Sequence, residues 1–156
     1  MAISCQPIFG SENMKLDTNI RLESYVENSV IQREFNYAGV IGWAEIIGWQ
    51  IIVFRRNKGA ISAIRMEEMN TPIINDICTA ILKDLDLPLS VGMKIDALIQ
   101  VLGMYIYQDY ILTNEIRYYF RIQNTLIVCG IHNTEGLKDV EIIYDTELID
   151  NCMTCG

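Results

Sequence analysis

Few residues in this chain stand at spacings that chemistry needs. Cys152-Met153-Thr154-Cys155 is a C-x-x-C pair, half of a zinc site or a dithiol. A closed zinc site takes four ligands, and only Cys5 lies outside the apolar patterns as a further thiol. A redox pair of the thioredoxin type would open a helix behind a strand, whereas one residue follows Cys155. An inert tail is expected there. His132 is the only histidine, so no second imidazole can join it on a metal. A Cys129–His132 dyad would need an accessible thiol, but Cys129 falls in a strand pattern that buries it. A Ser–His–acid triad lacks a nucleophile-elbow sequence.

The paired carboxylates are Glu67-Glu68 and Asp84/Asp86. Acid–base catalysis needs two carboxyls in one cleft with separated pKa values. Here Glu67-Glu68 precedes a helix, where acidic groups favour the N-terminus, and Asp84/Asp86 ends one. Gly39, Gly42 and Gly48 lack the lysine and the strand–helix context of a phosphate cradle. Arg55-Arg56-Asn57-Lys58 reads as a solvated hairpin tip. No catalytic residue, metal ligand or cofactor-binding residue is expected, and no cofactor.

One group suggests binding instead. Tyr105, Tyr107 and Tyr110 are interleaved with Asp109 and Glu115, and Asp139 and Glu141 follow in a later strand pattern. Tyrosine offers contact area at low entropic cost, and acidic neighbours steer a basic partner. These seven residues form the expected partner-binding set.

The elements that must position them are legible from periodicity. Ile95, Leu98, Ile99 and Leu102 recur at helical spacing, with Lys94, Asp96 and Gln100 opposite and Gly103 as the stop. A preceding helix over 72–85 carries Ile74, Ile77, Cys78, Ile81 and Leu85, with Thr71 as N-cap and Pro72 at the first position. The short joint between the two predicts an αα pair. Strands are expected over 29–35, 40–47, 49–54 and 60–66, with a turn at 56–59. Residues 104–115 read as a loop or a frayed strand start. Ile116, Tyr118, Phe120 and Ile122 alternate with Arg117, Tyr119 and Arg121, and strands over 126–131 and 137–144 complete a meander. Residues 1–19 read as an irregular leading segment and 145–156 as a tail. The sum is an α+β fold, an antiparallel sheet with an αα pair packed on one face.

With 156 residues the chain predicts a single domain over 1–156. The formal net charge of −8 disfavours nucleic acid, whose phosphates need Lys and Arg. Five cysteines in no framework spacing favour a reducing compartment. No apolar run reaches the roughly 18 residues of a membrane span, and no basic-then-apolar leader is seen. A cytoplasmic protein without a membrane partner, monomeric or weakly dimeric, is expected.

Gly92-Met93 opening a helix, Leu102-Gly103 closing it, and Tyr118-Tyr119-Phe120 leading a meander resemble the helix-pair-plus-sheet module of β-lactamase inhibitor protein and outer-membrane assembly lipoproteins. The resemblance covers about Leu89 to Ile143. Met104 departs from it, standing where proline usually follows the Leu-Gly pair. The overall profile is similar to that of immunity proteins of bacterial toxin–immunity systems, including contact-dependent growth inhibition. That resemblance implies a non-enzymatic inhibitor that occludes a cognate, basic, nuclease-like toxin, with acidic side chains in place of phosphate. A small enzyme of another class and a homo-oligomeric adaptor are the alternatives.

Overall fold

The computed structural model describes residues 19–27 and 29–154. Eight strands form one antiparallel sheet: β1 (Val30–Tyr37), β2 (Val40–Ile47), β3 (Ile51–Arg55), β4 (Ala63–Met66), β5 (Tyr107–Leu112), β6 (Glu115–Ile122), β7 (Thr125–His132) and β8 (Gly136–Ile143). Two helices, α1 (Ile74–Asp84) and α2 (Ile95–Leu102), lie between β4 and β5, and α3 (Thr146–Thr154) follows β8. The spatial order is β1-β2-β3-β4-β8-β7-β6-β5. Two four-stranded meanders therefore stand side by side, joined where β4 pairs with β8. The α+β class expected from the sequence is the one observed.

One face of the sheet is closed by α1 and α2. Ile77, Cys78, Ile81 and Leu85 of α1 and its C-cap, and Leu98 and Leu102 of α2, enter one core with Val53, Met66, Phe120, Cys129 and Ile142 of the sheet. Each such side chain stabilises the fold by roughly 1.5–3 kcal/mol through water exclusion. Gly103 ends α2 with φ 87°, its N–H donating to the Ile99 carbonyl at 2.9 Å. Helix α1 starts later than its sequence suggests. Ile73 takes φ 77°, which no helix accepts, so Thr71 and Pro72 fall in the turn before it. Thr71 Oγ1 there accepts a bond from Gln50 Nε2 at 3.3 Å rather than capping the helix.

On the opposite face the expected tail is a helix. Asp145 Oδ1 accepts the Glu147 amide at 2.9 Å, an N-cap bond, and Leu148 and Ile149 bury themselves among Ala44, Ile46, Ile52 and Phe54. Met153 and Cys152 continue that stripe one turn later. Residues 1–18 and 155–156, hence Cys5 and Cys155, lie outside the described residues.

Two further expectations are corrected. Residues 107–112 form an edge strand, β5, with Tyr110 and Leu112 exposed to 68% and 61%. The basic turn is not wholly solvated: Arg55 is buried, its Nη1 2.6 Å from Glu45 Oε2 and its Nη2 donating to the Ile20 carbonyl at 2.6 Å. Glu45 Oε1 accepts the Leu22 amide at 2.9 Å, so this ion pair clips the segment around Leu22 to the sheet. Arg56 meets Asp145 and Glu147, and Lys58 stands 4.0 Å from the Trp43 ring centroid. Among the described residues no helix is long and apolar enough to cross a membrane.

Candidate functional site

Strand register decides which side chains meet. Residues paired across antiparallel strands project to the same face. One row on the face that carries α3 runs Asp109, Arg117, Gly130, Asp139 across β5, β6, β7 and β8. The next row runs Tyr107, Tyr119, Val128, Glu141, Arg65 and ends on β4. Beyond α3 these rows surround an open cavity of about 310 Å³. Arg65, Arg117 and Lys138 line it, as do Glu67, Glu68, Glu115, Asp139 and Glu141. Ile111, Leu112 and Val128 supply an apolar wall. A second hollow of about 280 Å³ shares Arg117, Val128 and Glu141 with the first and is bounded by Asn151 and Cys152 of α3.

The three cations are engaged. Arg117 holds Asp109 with two bonds, Nε to Oδ1 at 3.0 Å and Nη2 to Oδ2 at 2.8 Å. Tyr119 donates to the same carboxylate at 3.2 Å. Arg65 Nε lies 3.4 Å from Glu141 Oε2, and its guanidinium carbon is 4.6 Å from the Tyr37 ring centroid. Tyr37 donates its hydroxyl to Glu141, and burial followed by that carboxylate pushes the phenol well above its ordinary range. Lys138 Nζ stands 3.8 Å from Glu115 Oε1.

The carboxyls are less evenly matched. Glu115 is buried, and its Oε2 stands with Asp139 Oδ2 over Gly130. Burial first, then Asp139, raises the Glu115 carboxyl to about 7. A negative charge on Glu115 is poorly solvated there and faces a second acid, which favours its protonated form. Gly130 is the bare floor beneath them. A Cβ there would lie 2.9 Å from Asp139 Oδ2 and 3.1 Å from Glu115 Oε2. Asp139 Oδ1 also accepts the Glu68 amide at 2.8 Å. Burial also raises the Glu67 carboxyl, and Arg65 offsets part of that. Glu67, Glu68 and Asp139 hold no ion pair among the described residues.

The structure thus brings Tyr107, Asp109, Glu115, Asp139 and Glu141 onto one face, while Tyr105 and Tyr110 go elsewhere. Tyr105 packs edge-on against Tyr118 with ring centroids 4.8 Å apart, on the side of α1 and α2. Tyr110 lines a separate hollow of about 230 Å³ with Tyr118, Ile131 and His132. Alternation along β5 separates Tyr110 from Tyr107, so the seven residues are not one patch. Glu67 and Glu68 line the cavity instead of the α1 N-terminus. Arg65, Arg117, Lys138 and Gly130 were not singled out from sequence as site residues. The signal for Gly130 was present, since a glycine inside an apolar strand pattern marks close approach.

His132 Nδ1 accepts the amides of Thr134 and Glu135 at 3.2 and 3.1 Å, and Nε2 faces Asn114 at 3.1 Å. The imidazole organises its turn. Cys129 is fully buried and its thiol is pushed far up by burial, which removes it as a nucleophile. Among the described residues no group of three His, Cys, Asp or Glu could hold a metal ion. No family model, curated protein or solved structure matches the chain.

Proposed function

We propose that this protein is an immunity-type inhibitor that binds and occludes a basic bacterial toxin through the open half of its sheet. One observation carries the reading. Carboxylates from β4's end, β6 and β8 converge on an open cavity that none of the described elements covers, and they outnumber the cations beside them. A surface of this kind substitutes for phosphate toward a basic active site and accelerates encounter. The adjoining edge strand β5 presents Ile111 and Leu112 as apolar anchorage.

The test uses the polypeptide encoded beside this chain in its genome, with binding measured at low and high salt. Affinity should fall steeply with salt. The double variant Glu67→Lys/Glu68→Lys should weaken it by about tenfold or more, equivalent to about 1.4 kcal/mol. This pair is preferable to Asp109→Lys, which would release Arg117 as well. Salt-independent binding that ignores the double variant rules the electrostatic account out.

A second reading rests on the same cavity. A buried carboxyl raised to about 7 beside a second acid is the arrangement of an acid–base enzyme. Turnover of a small compound that is lost in Glu115→Gln, with partner binding intact, would favour it over inhibition.

A further inference from the structure

We propose that the cavity above Gly130 is a receptor for one basic side chain of the partner, an arginine whose stem lies along Ile111, Leu112 and Val128 and whose guanidinium meets Asp139 and Glu115. This inference rests on the inhibitor reading and names what that surface recognises.

The geometry has three parts. First, the site has depth because Gly130 leaves the centre of β7 without a side chain, and both carboxyls stand over that bare backbone. Secondly, the cations of the wall are already committed. Arg117 is held by Asp109, Arg65 by Glu141, and Lys138 lies beside Glu115. An anion entering here would compete with existing pairs, whereas a cation finds Asp139, Glu67 and Glu68 without one. Thirdly, Glu115 is buried and shares the space over Gly130 with Asp139, while Lys138 reaches Glu115 only at 3.8 Å. Two neighbouring carboxyls there present acceptor oxygens to an incoming donor. A guanidinium supplies several N–H groups in one plane and suits paired carboxyl oxygens.

Entry of the cation favours the ionised form of Glu115, whose proton leaves to bulk water. The groups facing Glu115 are Asp139 and Lys138 from β8, Glu68 beyond β4, Gly130 beneath it on β7, and Arg117 on its own strand. His132 lies in register with it across β7, its ring engaged by the following turn. Binding therefore strengthens as pH rises through the titration of Glu115.

The experiment is an NMR titration of the ¹⁵N-labelled chain with N-acetylargininamide, and with N-acetylcitrullinamide as the uncharged isostere. Saturable shifts at the amides of Leu112, Gly130 and Asp139 are expected with the arginine compound and not with the citrulline compound. Affinity should drop by about tenfold from about pH 8 to about pH 6. Asp139→Asn, which keeps the bond to the Glu68 amide, should abolish the shifts, and Glu115→Gln should remove the pH dependence. Asp76→Asn, an exposed acid on α1, should change nothing. Three results overturn the proposal: no saturable shift, equal shifts with both compounds, or shifts that persist in Asp139→Asn. If arginine fails here while Glu67→Lys/Glu68→Lys still weakens the basic partner, the pocket falls and the inhibitor reading stands. Loss of both effects removes both.

Discussion

One cross-strand row shows how two neighbouring regions of the same sheet face obey opposite rules. From β2 it runs Ile46, Ile52, Arg65, Glu141, Val128, Tyr119. The first two residues are buried under α3 with Leu148 and Ile149. At β4 the row turns charged, and Tyr37 marks the seam, its ring beneath Arg65 and its hydroxyl on Glu141. Past that seam Val128 and Tyr119 are still buried beside the end of α3, but none of the described elements covers Asp139, Glu67 and Glu68. Where a helix seals the face, the strand residues are apolar. Where none does, they are ion pairs plus a surplus of acid. An uncovered face with no task needs only mixed polar residues. This one instead holds the buried carboxyl of Glu115 beside Asp139 over a glycine floor, which costs stability and calls for a use.

The comparison is broken or sharpened by substitution in each region. The largest effect belongs under α3. Phe54→Ala should cost about 4 kcal/mol in urea unfolding, because the ring is fully buried against Tyr37. Gly42→Ala comes next, at about 2–3 kcal/mol. Its Cβ would lie 2.4 Å from the Arg55 carbonyl oxygen and 2.7 Å from the Phe54 ring, and backbone cannot step aside.

In the open half the effects become pH-dependent and smaller. The Glu115 carboxyl rises from 4.5 to about 7 on folding, so the folded chain holds more protons in that window. Its contribution to stability is complete below 4.5 and is lost as pH rises through about 7. Melting temperature should fall over that range, and Glu115→Gln should flatten the slope. An unchanged slope in the variant would mean that Glu115 does not carry the effect. Asp109→Asn should cost only about 0.5 kcal/mol, because Arg117 is partly exposed. Gly130→Ala should cost about 0.5 kcal/mol, since the Asp139 side chain, its Cβ 3.1 Å away, and the Glu115 carboxyl must give by a few tenths of an ångström but no backbone atom stands in the way. Equal penalties for Gly42→Ala and Gly130→Ala would erase the distinction between the regions.

Much of the fold was legible. Period-2 alternation in β6 and helical spacing in α2 are strong local signals, and both elements stand where the sequence places them. Strand β5 was missed because an edge strand exposed on both faces loses its alternation. Helix α3 was missed for a different reason. Its cysteines drew attention, while the Asp145 cap and the 148, 149, 152, 153 stripe were plain in the residues. Burial of Arg55 could not be read locally, since its partners Glu45 and Ile20 arrive from elsewhere in the chain. For the site, acid content singled out Asp109, Glu115, Asp139 and Glu141. Register alone gathers them beside Arg117 and Gly130, and register is a property of pairing.

The seam between β4 and β8 also sets a timetable. Ala63–Met66 finds its outer neighbour in Val140–Ile143. A ribosome therefore releases the first meander long before the strand that flanks it. Until then a short row of buried-type side chains and unsatisfied amides waits at a raw margin. Such a nascent chain completes this sheet only after Val140–Ile143 has emerged, and until then the waiting margin is the part exposed to aggregation.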